Sequence, residues 1–83
     1  DDQAILYVDS IATLAEKIKQ YTALVDIYER AGRLYHGESK YLEALSYYQQ
    51  AYGAAKKYNV LPAEAGILIN LGALYLDIKD YAK

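Results

Sequence analysis

Apolar residues recur at every third or fourth position along almost the whole chain, and this spacing constrains the fold more than any other feature. Such spacing places apolar side chains on one stripe of an α-helix. No stretch alternates strictly between apolar and polar residues, as a half-buried strand would. We therefore expect an all-α protein with helices at about 2–19, 22–36, 39–58 and 62–77, and a fifth helix that begins near Asp80.

Short breaks separate the stripes, and residues that end or begin helices stand in two of them. Gly37 and Asn59 can adopt the left-handed backbone conformation that ends a helix. Pro62 suits the first turn of the fourth helix, where its missing N–H leaves no hydrogen bond unmade. The boundary at residues 20–22 has neither glycine nor proline. Because short links join antiparallel neighbours, the pattern predicts helical hairpins.

The first half of the chain repeats in the second half, at the offset that carries Ala4 onto Ala44. This offset aligns 43 residue pairs without a gap, and ten of these pairs are identical. The identical pairs are Ala4/Ala44, Tyr7/Tyr47, Ala15/Ala55, Lys17/Lys57, Ala23/Ala63, Ile27/Ile67, Gly32/Gly72, Leu34/Leu74, Tyr35/Tyr75 and Tyr41/Tyr81. Most of them are core-type residues, so the predicted repeating unit is a helical hairpin of about 40 residues.

Gly32 and Gly72 occupy the same place in successive units, inside predicted helices. Glycine inside a helix costs up to about 1 kcal/mol relative to alanine. In both units a tyrosine, Tyr35 or Tyr75, follows three residues later. We predict that both glycines let a neighbouring helix approach closely, so that packing offsets the lost helix propensity.

These residues resemble the tetratricopeptide repeat, whose pattern runs W-x2-L-G-x2-Y, then A-x3-F, then P. Residues 68–75, Leu-Ile-Asn-Leu-Gly-Ala-Leu-Tyr, match its first part, with leucine in place of tryptophan. Ala44 followed by Tyr48 matches the second part, and Pro62 the last. The resemblance covers essentially the whole chain. Because the unit, at about 40 residues, is longer than the usual unit of the family, it is similar to the longer-repeat branch.

The resemblance implies an α-solenoid of antiparallel hairpins, with residues 1–83 as a single segment. Residues 1–20 would be the second helix of one repeat, about 22–60 a complete repeat, and 62–83 the start of the next. We expect a fragment of a longer solenoid, because about three repeats are needed for stability. The residues expected to pack the repeats are Gly32, Tyr35, Ala44, Tyr48, Ala51, Leu71, Gly72 and Tyr75.

The chain departs from the family pattern at the turn between the two helices of each unit, which lacks the usual glycine. Where the family often turns between its two helices, this chain has Ser39 and Lys79. We expect Gly37 to take over this role in the first complete unit.

Composition argues against several classes of function. A net charge of −2 does not favour a nucleic acid partner or a polybasic contact with a membrane surface. No apolar run approaches the roughly 20 residues that span a bilayer. The chain has no cysteine, which excludes a disulfide framework and fits a reducing compartment, so we expect an intracellular, cytoplasmic protein. His36 is the only histidine and has no paired carboxylate motif near it, so we expect no catalytic residue, metal or cofactor.

Two further groups of side chains carry expectations. Asp26–Arg30 and Glu29–Arg33 have the i, i+4 spacing of helix salt bridges. Six tyrosines occupy core positions of the family: Tyr28, Tyr35, Tyr41, Tyr48, Tyr75 and Tyr81. The other five are open to two interpretations, packing between long helices or an interface: Tyr7, Tyr21, Tyr47, Tyr52 and Tyr58.

In the family, the first helices of successive repeats line a concave groove that holds an extended or helical peptide. The candidate groove residues are Glu29, Arg33 and His36 in one repeat, and Ile69, Asn70 and Ala73 in the next. The resemblance implies polar contacts from Arg33 and Asn70, whose amide can both donate and accept hydrogen bonds. The expected function is therefore a non-enzymatic protein–protein interaction scaffold.

Two alternatives share this architecture. In the first, the chain self-associates, because helices at its two ends pair between copies to form a homodimer or an open filament. In the second, it is a peptide-sensing regulatory domain, which would differ from the scaffold in the domains attached to it.

Overall fold

A computed structural model describes the backbone of residues 2–17 and 20–82 and the side chains of residues 5–16 and 20–80. It contains four helices: α1 (Asp2–Lys17), α2 (Tyr21–Gly37), α3 (Tyr41–Lys57) and α4 (Leu61–Ala82). The described residues form no strand, so the predicted all-α class is confirmed. Both ends of α2 and α3 lie within two residues of the predicted bounds. The predicted end of the first helix, at residue 19, lies outside the described residues.

The fourth helix is longer than predicted. Because α4 continues without a break to Ala82, the predicted fifth helix near Asp80 is wrong. Residues 78–81 contain neither glycine nor proline, so nothing there interrupts the hydrogen bonds of the helix. Lys79 lies in the last turn, where a cation interacts favourably with the helix dipole. Pro62 lies in the first turn, as predicted.

The connection after α2 differs from the prediction, whereas the connection after α3 agrees with it. Gly37 is the last residue of α2 and does not have a positive φ, so its predicted left-handed role is wrong. Ser39, two residues later, takes that conformation instead, with φ of 60°. Asn59 has φ of 62°, as predicted for the end of α3. A short polar side chain makes this conformation accessible to residues other than glycine.

The same backbone hydrogen bond occurs after α1, after α2 and after α3. Its donors are evenly spaced along the chain, at half the length of the sequence repeat. The backbone N–H groups of Gln20, Lys40 and Val60 each donate to the carbonyl five residues earlier, at 2.8, 2.9 and 2.8 Å. This bond pairs a carbonyl that the end of the preceding helix would leave unsatisfied. One helix with its turn is therefore half of the repeat, and a hairpin is the whole of it. The sequence repeat alone did not indicate this shorter period.

Successive helices pack antiparallel, because buried residues near the start of one helix cluster with those near the end of the previous one. Ala12 and Ala15 of α1 cluster with Leu24 of α2. The other two clusters join α2, α3 and α4 and consist of Val25, Ala51, Ala55 and Ile67, and of Ala31, Tyr35, Ala44, Tyr47, Tyr48 and Leu74. The helix α2 contacts each of the other three helices and is the centre of the structure.

The two repeated glycines have different surroundings. A Cβ atom on Gly32 would lie 2.5 Å from Cδ1 of Tyr48, whose side chain is 1% exposed, so only glycine leaves room for this ring. A Cβ on Gly72 would meet no described atom within 4 Å. Tyr75, which was also predicted to pack, is 52% exposed. The predicted packing at both α4 positions is therefore absent, because no described helix covers this face of α4.

Of the five tyrosines with two possible interpretations, some pack inside the structure and others are exposed. Tyr47 is buried and stacks on Tyr35 and Tyr28, with ring centroids 5.7 and 6.3 Å apart. Tyr21 and Tyr58 stack on each other at 3.8 Å. Tyr52 is half-buried, and Tyr7 is 72% exposed. The side chain of Tyr81 lies outside the described residues.

The helix α4 is apolar over much of its circumference. Residues Leu61–Asp80 have the length and composition of a membrane-spanning helix, with a mean hydropathy of 1.3. The expectation that no such segment exists is wrong, because charged residues lie only towards its two ends. A core helix can pass the same test, but only 17% of this segment is buried. The composition is thus weak evidence for a membrane, and it shows that α4 presents a large apolar surface.

We expect stability to fall steeply in alkali. Burial, with the charge of Asp9 and a hydrogen bond to it, raises the pKa of Tyr47 from 10.0 to about 12. Burial also raises the pKa of Tyr28 and of Tyr48. Between pH 10 and about 12 the unfolded chain therefore binds fewer protons than the folded chain, so the free energy of unfolding decreases as pH rises. Urea unfolding across this range measures the slope.

The Tyr47→Phe variant is the control for the alkaline effect. It removes the most strongly shifted group, so its stability should fall less with pH than that of the unchanged chain. Equal slopes for the two proteins would contradict the assignment of this effect to Tyr47.

Candidate functional site

The helices α2 and α4 lie side by side and parallel, and two pairs of polar side chains connect them. The Asn70 amide donates to the Glu29 carboxylate over 2.9 Å, from Nδ2 to Oε2. Two helical turns further along, His36 Nε2 lies 2.5 Å from Asp77 Oδ2. Both pairs join residues that are 41 positions apart. Residues about one sequence-repeat length apart therefore lie side by side on α2 and α4, along one face that we call the α2/α4 face.

The two pairs differ in their surroundings. The bond between Asn70 and Glu29 is partly buried, which strengthens it relative to the same bond in water. Gly66, one turn before Asn70, borders this bond, since a Cβ at this position would be in ordinary contact with Glu29 Oε2, at 3.7 Å. The His36 ring is edge-on to Tyr41, with ring centroids 6.0 Å apart. Asp77 and Tyr41 thus fix the His36 ring at the end of the face.

The structure distributes the six predicted groove residues over this face in two ways. Glu29, His36 and Asn70 are half-buried and take part in the pairs between the helices. Arg33, Ile69 and Ala73 are exposed. The face therefore consists of a polar seam with exposed side chains beside it.

One predicted ion pair is present and the other is not. Arg30 Nε lies 2.8 Å from Asp26 Oδ2, which confirms the first prediction. Among the described residues, Glu29 does not pair with Arg33 and instead accepts from Asn70. Helix spacing alone could not show this, because Asn70 reaches Glu29 only when a second helix packs alongside.

Arg33 is consequently the available cation of the α2/α4 face. Within the described part of the chain, its guanidinium forms no hydrogen bond or ion pair. By contrast, Arg30 is bound to Asp26, and His36 to Asp77. A guanidinium with five free donors is suited to bind a carboxylate through two parallel hydrogen bonds.

A shallow depression of about 580 Å³ lies at the opposite end of the α2/α4 face from His36. It is lined by the stacked pair Tyr21 and Tyr58 and by Pro62 and Ala63 at the start of α4. The sequence did not predict this feature. Tyr21 begins α2 and Tyr58 directly follows α3, so their stacking depends on how these two helices pack.

Comparisons with known proteins identified no relative of this chain. No family model matches the chain, and neither a curated protein nor a solved structure matches it significantly. The resemblance to the tetratricopeptide repeat therefore stays a prediction.

Proposed function

We propose that the chain forms a tetratricopeptide-like α-solenoid. In this arrangement α2 and α3 form one complete repeat, α1 corresponds to the second helix of a repeat, and α4 corresponds to the first. Three observations support the proposal: the sequence repeat, the hydrogen bond that recurs at Gln20, Lys40 and Val60, and the parallel placement of α2 and α4. The Gly32–Tyr48 contact adds the close helix packing that the family pattern implies.

On this scaffold, the α2/α4 face captures a peptide or short helix of a partner protein without covalent chemistry. The main observation behind this proposal is that the Arg33 guanidinium can bind a ligand, because the polar groups around it are already paired with each other. Glu29 and Asn70 bond to each other, and Arg33 and Ala73 each lie one turn beyond that pair on parallel helices. A ligand along this face would therefore meet a cation on one side and a methyl group on the other.

The chemistry of the exposed side chains specifies the class of peptide. The Arg33 guanidinium favours an aspartate, a glutamate or a terminal carboxylate. Ile69, which is 73% exposed, and Ala73 offer apolar contact to a neighbouring aliphatic side chain. The Asn70 amide retains one N–H and its carbonyl oxygen for a peptide backbone, because the other N–H is bound to Glu29.

The test is a selection from a display library of short peptides that combine acidic and aliphatic residues, with the immobilised chain as bait. We expect Arg33→Glu to weaken the selected peptides at least about tenfold, because a hydrogen bond to a charged group contributes roughly 1.5–3 kcal/mol. Titration calorimetry with a selected peptide measures the change. The variant should still fold, because Arg33 has no hydrogen bond or ion pair among the described residues. The like charge four residues from Glu29 costs only about 0.2–0.5 kcal/mol.

Arg30→Glu is the matched control, because it makes the same charge reversal at an exposed position of α2. The control should bind the selected peptides with little change in affinity. A library that yields no binder, or peptides that bind Arg33→Glu as tightly as the unchanged chain, would overturn the proposal. Asn70→Ala is a less specific test, because it also leaves the Glu29 carboxylate without its donor.

A further inference from the structure

Residues that correspond in sequence to the α2–α3 interface are exposed on α4 and on α1. Within the chain, the Tyr47 ring of α3 rests on Tyr28 and Tyr35 of α2. Beside it, the Tyr48 ring fills the space above Gly32. This interface is the template for the inference.

In the sequence repeat, the α2 residues of this interface correspond to residues of α4. Tyr28, Gly32 and Tyr35 correspond to Leu68, Gly72 and Tyr75. Whereas Tyr35 is 2% exposed, Leu68 and Tyr75 are 51% and 52% exposed, and Gly72 has open space above it. The helix α4 thus carries an α2-like docking face that no described part of the chain covers.

In the same repeat, α3 residues of the interface correspond to residues of α1. Tyr47 and Ala51, both buried in α3, correspond to Tyr7 and Ile11. Tyr7 is 72% exposed and Ile11 is 40% exposed. They lie one turn apart and continue to exposed Leu14, so that they form a single apolar stripe on α1.

From these observations we propose that a second copy of this chain docks head to tail, with α1 of one copy on α4 of the next. The Tyr7 ring then rests on Leu68 and Tyr75 of the neighbour, as Tyr47 rests on Tyr28 and Tyr35. The occupant is a copy because the counterparts of the stacked rings Tyr28, Tyr35 and Tyr47 are exposed on the same chain. Val8, the counterpart of Tyr48, packs within its own chain, so Tyr7 and Ile11 form the α1 side of the contact. The proposal does not rest on peptide binding at the α2/α4 face.

The direction of this contact determines the kind of assembly. Within the described part of one chain, α1 and α4 do not pack against each other, and each buries its other side towards α2 or α3. The two docking faces therefore lie at opposite ends, and each added copy presents a new free end. A one-way contact that does not close grows an open filament. The average mass should rise with concentration beyond that of a dimer.

Two single variants block one end each. Tyr7→Glu places a charge in the α1 stripe and leaves α4 intact, whereas Tyr75→Glu places a charge on the α4 face and leaves α1 intact. Both positions are at least half exposed in the chain, so both variants should keep their helical circular dichroism spectrum. Leu68→Glu is a second α4 variant in case Tyr75→Glu perturbs the helix. Leu6→Glu is the matched control, since Leu6 is 67% exposed on α1 and corresponds to exposed Ser46.

Sedimentation velocity over a range of concentrations gives the decisive result. Each blocked variant should be monomeric alone, their equimolar mixture should form a one-to-one dimer and nothing larger, and Leu6→Glu should assemble like the unchanged chain. Monomeric behaviour of the unchanged chain at every concentration would overturn the proposal. So would self-association of either blocked variant alone, which would indicate pairing of like ends.

Discussion

Replacing Gly32 with alanine should destabilise the fold by about 1–2 kcal/mol, although alanine is the better helix former. The new Cβ would lie 2.5 and 2.6 Å from two ring atoms of Tyr48. That ring is buried and stiff, so the change overpacks the core, which typically costs about 1–3 kcal/mol. The gain in helix propensity, at most about 1 kcal/mol, offsets only part of this cost. Urea unfolding followed by circular dichroism measures the difference.

Gly72→Ala is the matched control, and it should have the opposite sign. It makes the same substitution in the equivalent helix, but its Cβ meets no described atom within 4 Å. At a concentration low enough to keep copies apart, this variant should gain up to about 1 kcal/mol from helix propensity. In a Tyr48→Ala background, Gly32→Ala should become stabilising as well, because the clashing ring is gone. Effects of the same sign and size at the two glycines would contradict the packing role of Gly32.

The second large effect is expected at Tyr35, where removing an oxygen atom should stabilise the protein. The Tyr35 hydroxyl is buried and has no hydrogen-bond partner among the described residues. A buried polar group without a partner costs about 1–3 kcal/mol. Tyr35→Phe keeps the ring and its stacking on Tyr47, so the free energy of unfolding should rise by about 1 kcal/mol or more.

Tyr58→Phe is the matched control for Tyr35→Phe. The Tyr58 hydroxyl donates to the Glu16 carboxylate over 3.0 Å near the surface. Its removal should therefore lower the free energy of unfolding, by roughly 0.5–1 kcal/mol. If Tyr35→Phe also lowers stability, the buried hydroxyl has a partner and does not destabilise the fold.

Helix periodicity was sufficient to predict the four helices, because apolar residues recur at helical spacing in each of them. It also predicted a fifth helix near Asp80, which is the end of α4. The ends of helices were less predictable. Asn59 adopts the left-handed conformation expected of it, but in the preceding turn Ser39 does so instead of Gly37. Glycine permits that conformation without requiring it. The hydrogen bonds donated by Gln20, Lys40 and Val60 follow the ends of α1, α2 and α3, whichever residue takes the left-handed conformation.

The candidate site was predictable only as a list of residues. The sequence could place Glu29 and Asn70 on equivalent helices, but not the bond between them, since that bond requires α2 and α4 to pack in parallel. The same bond explains why Glu29 does not pair with Arg33. The exposed state of Gly72 and Tyr75 was equally out of reach, because it depends on which helices surround α4.

The equivalent turns have a consequence for changes in chain length. Each turn starts the next helix at the same interval after the previous one, so inserting one further hairpin at a turn would preserve the orientation of every helix face beyond it. Inserting a single residue within a helix would rotate everything beyond it by about 100° and move buried side chains to the surface. The fold should therefore tolerate duplication of a whole hairpin more readily than a one-residue insertion inside any helix.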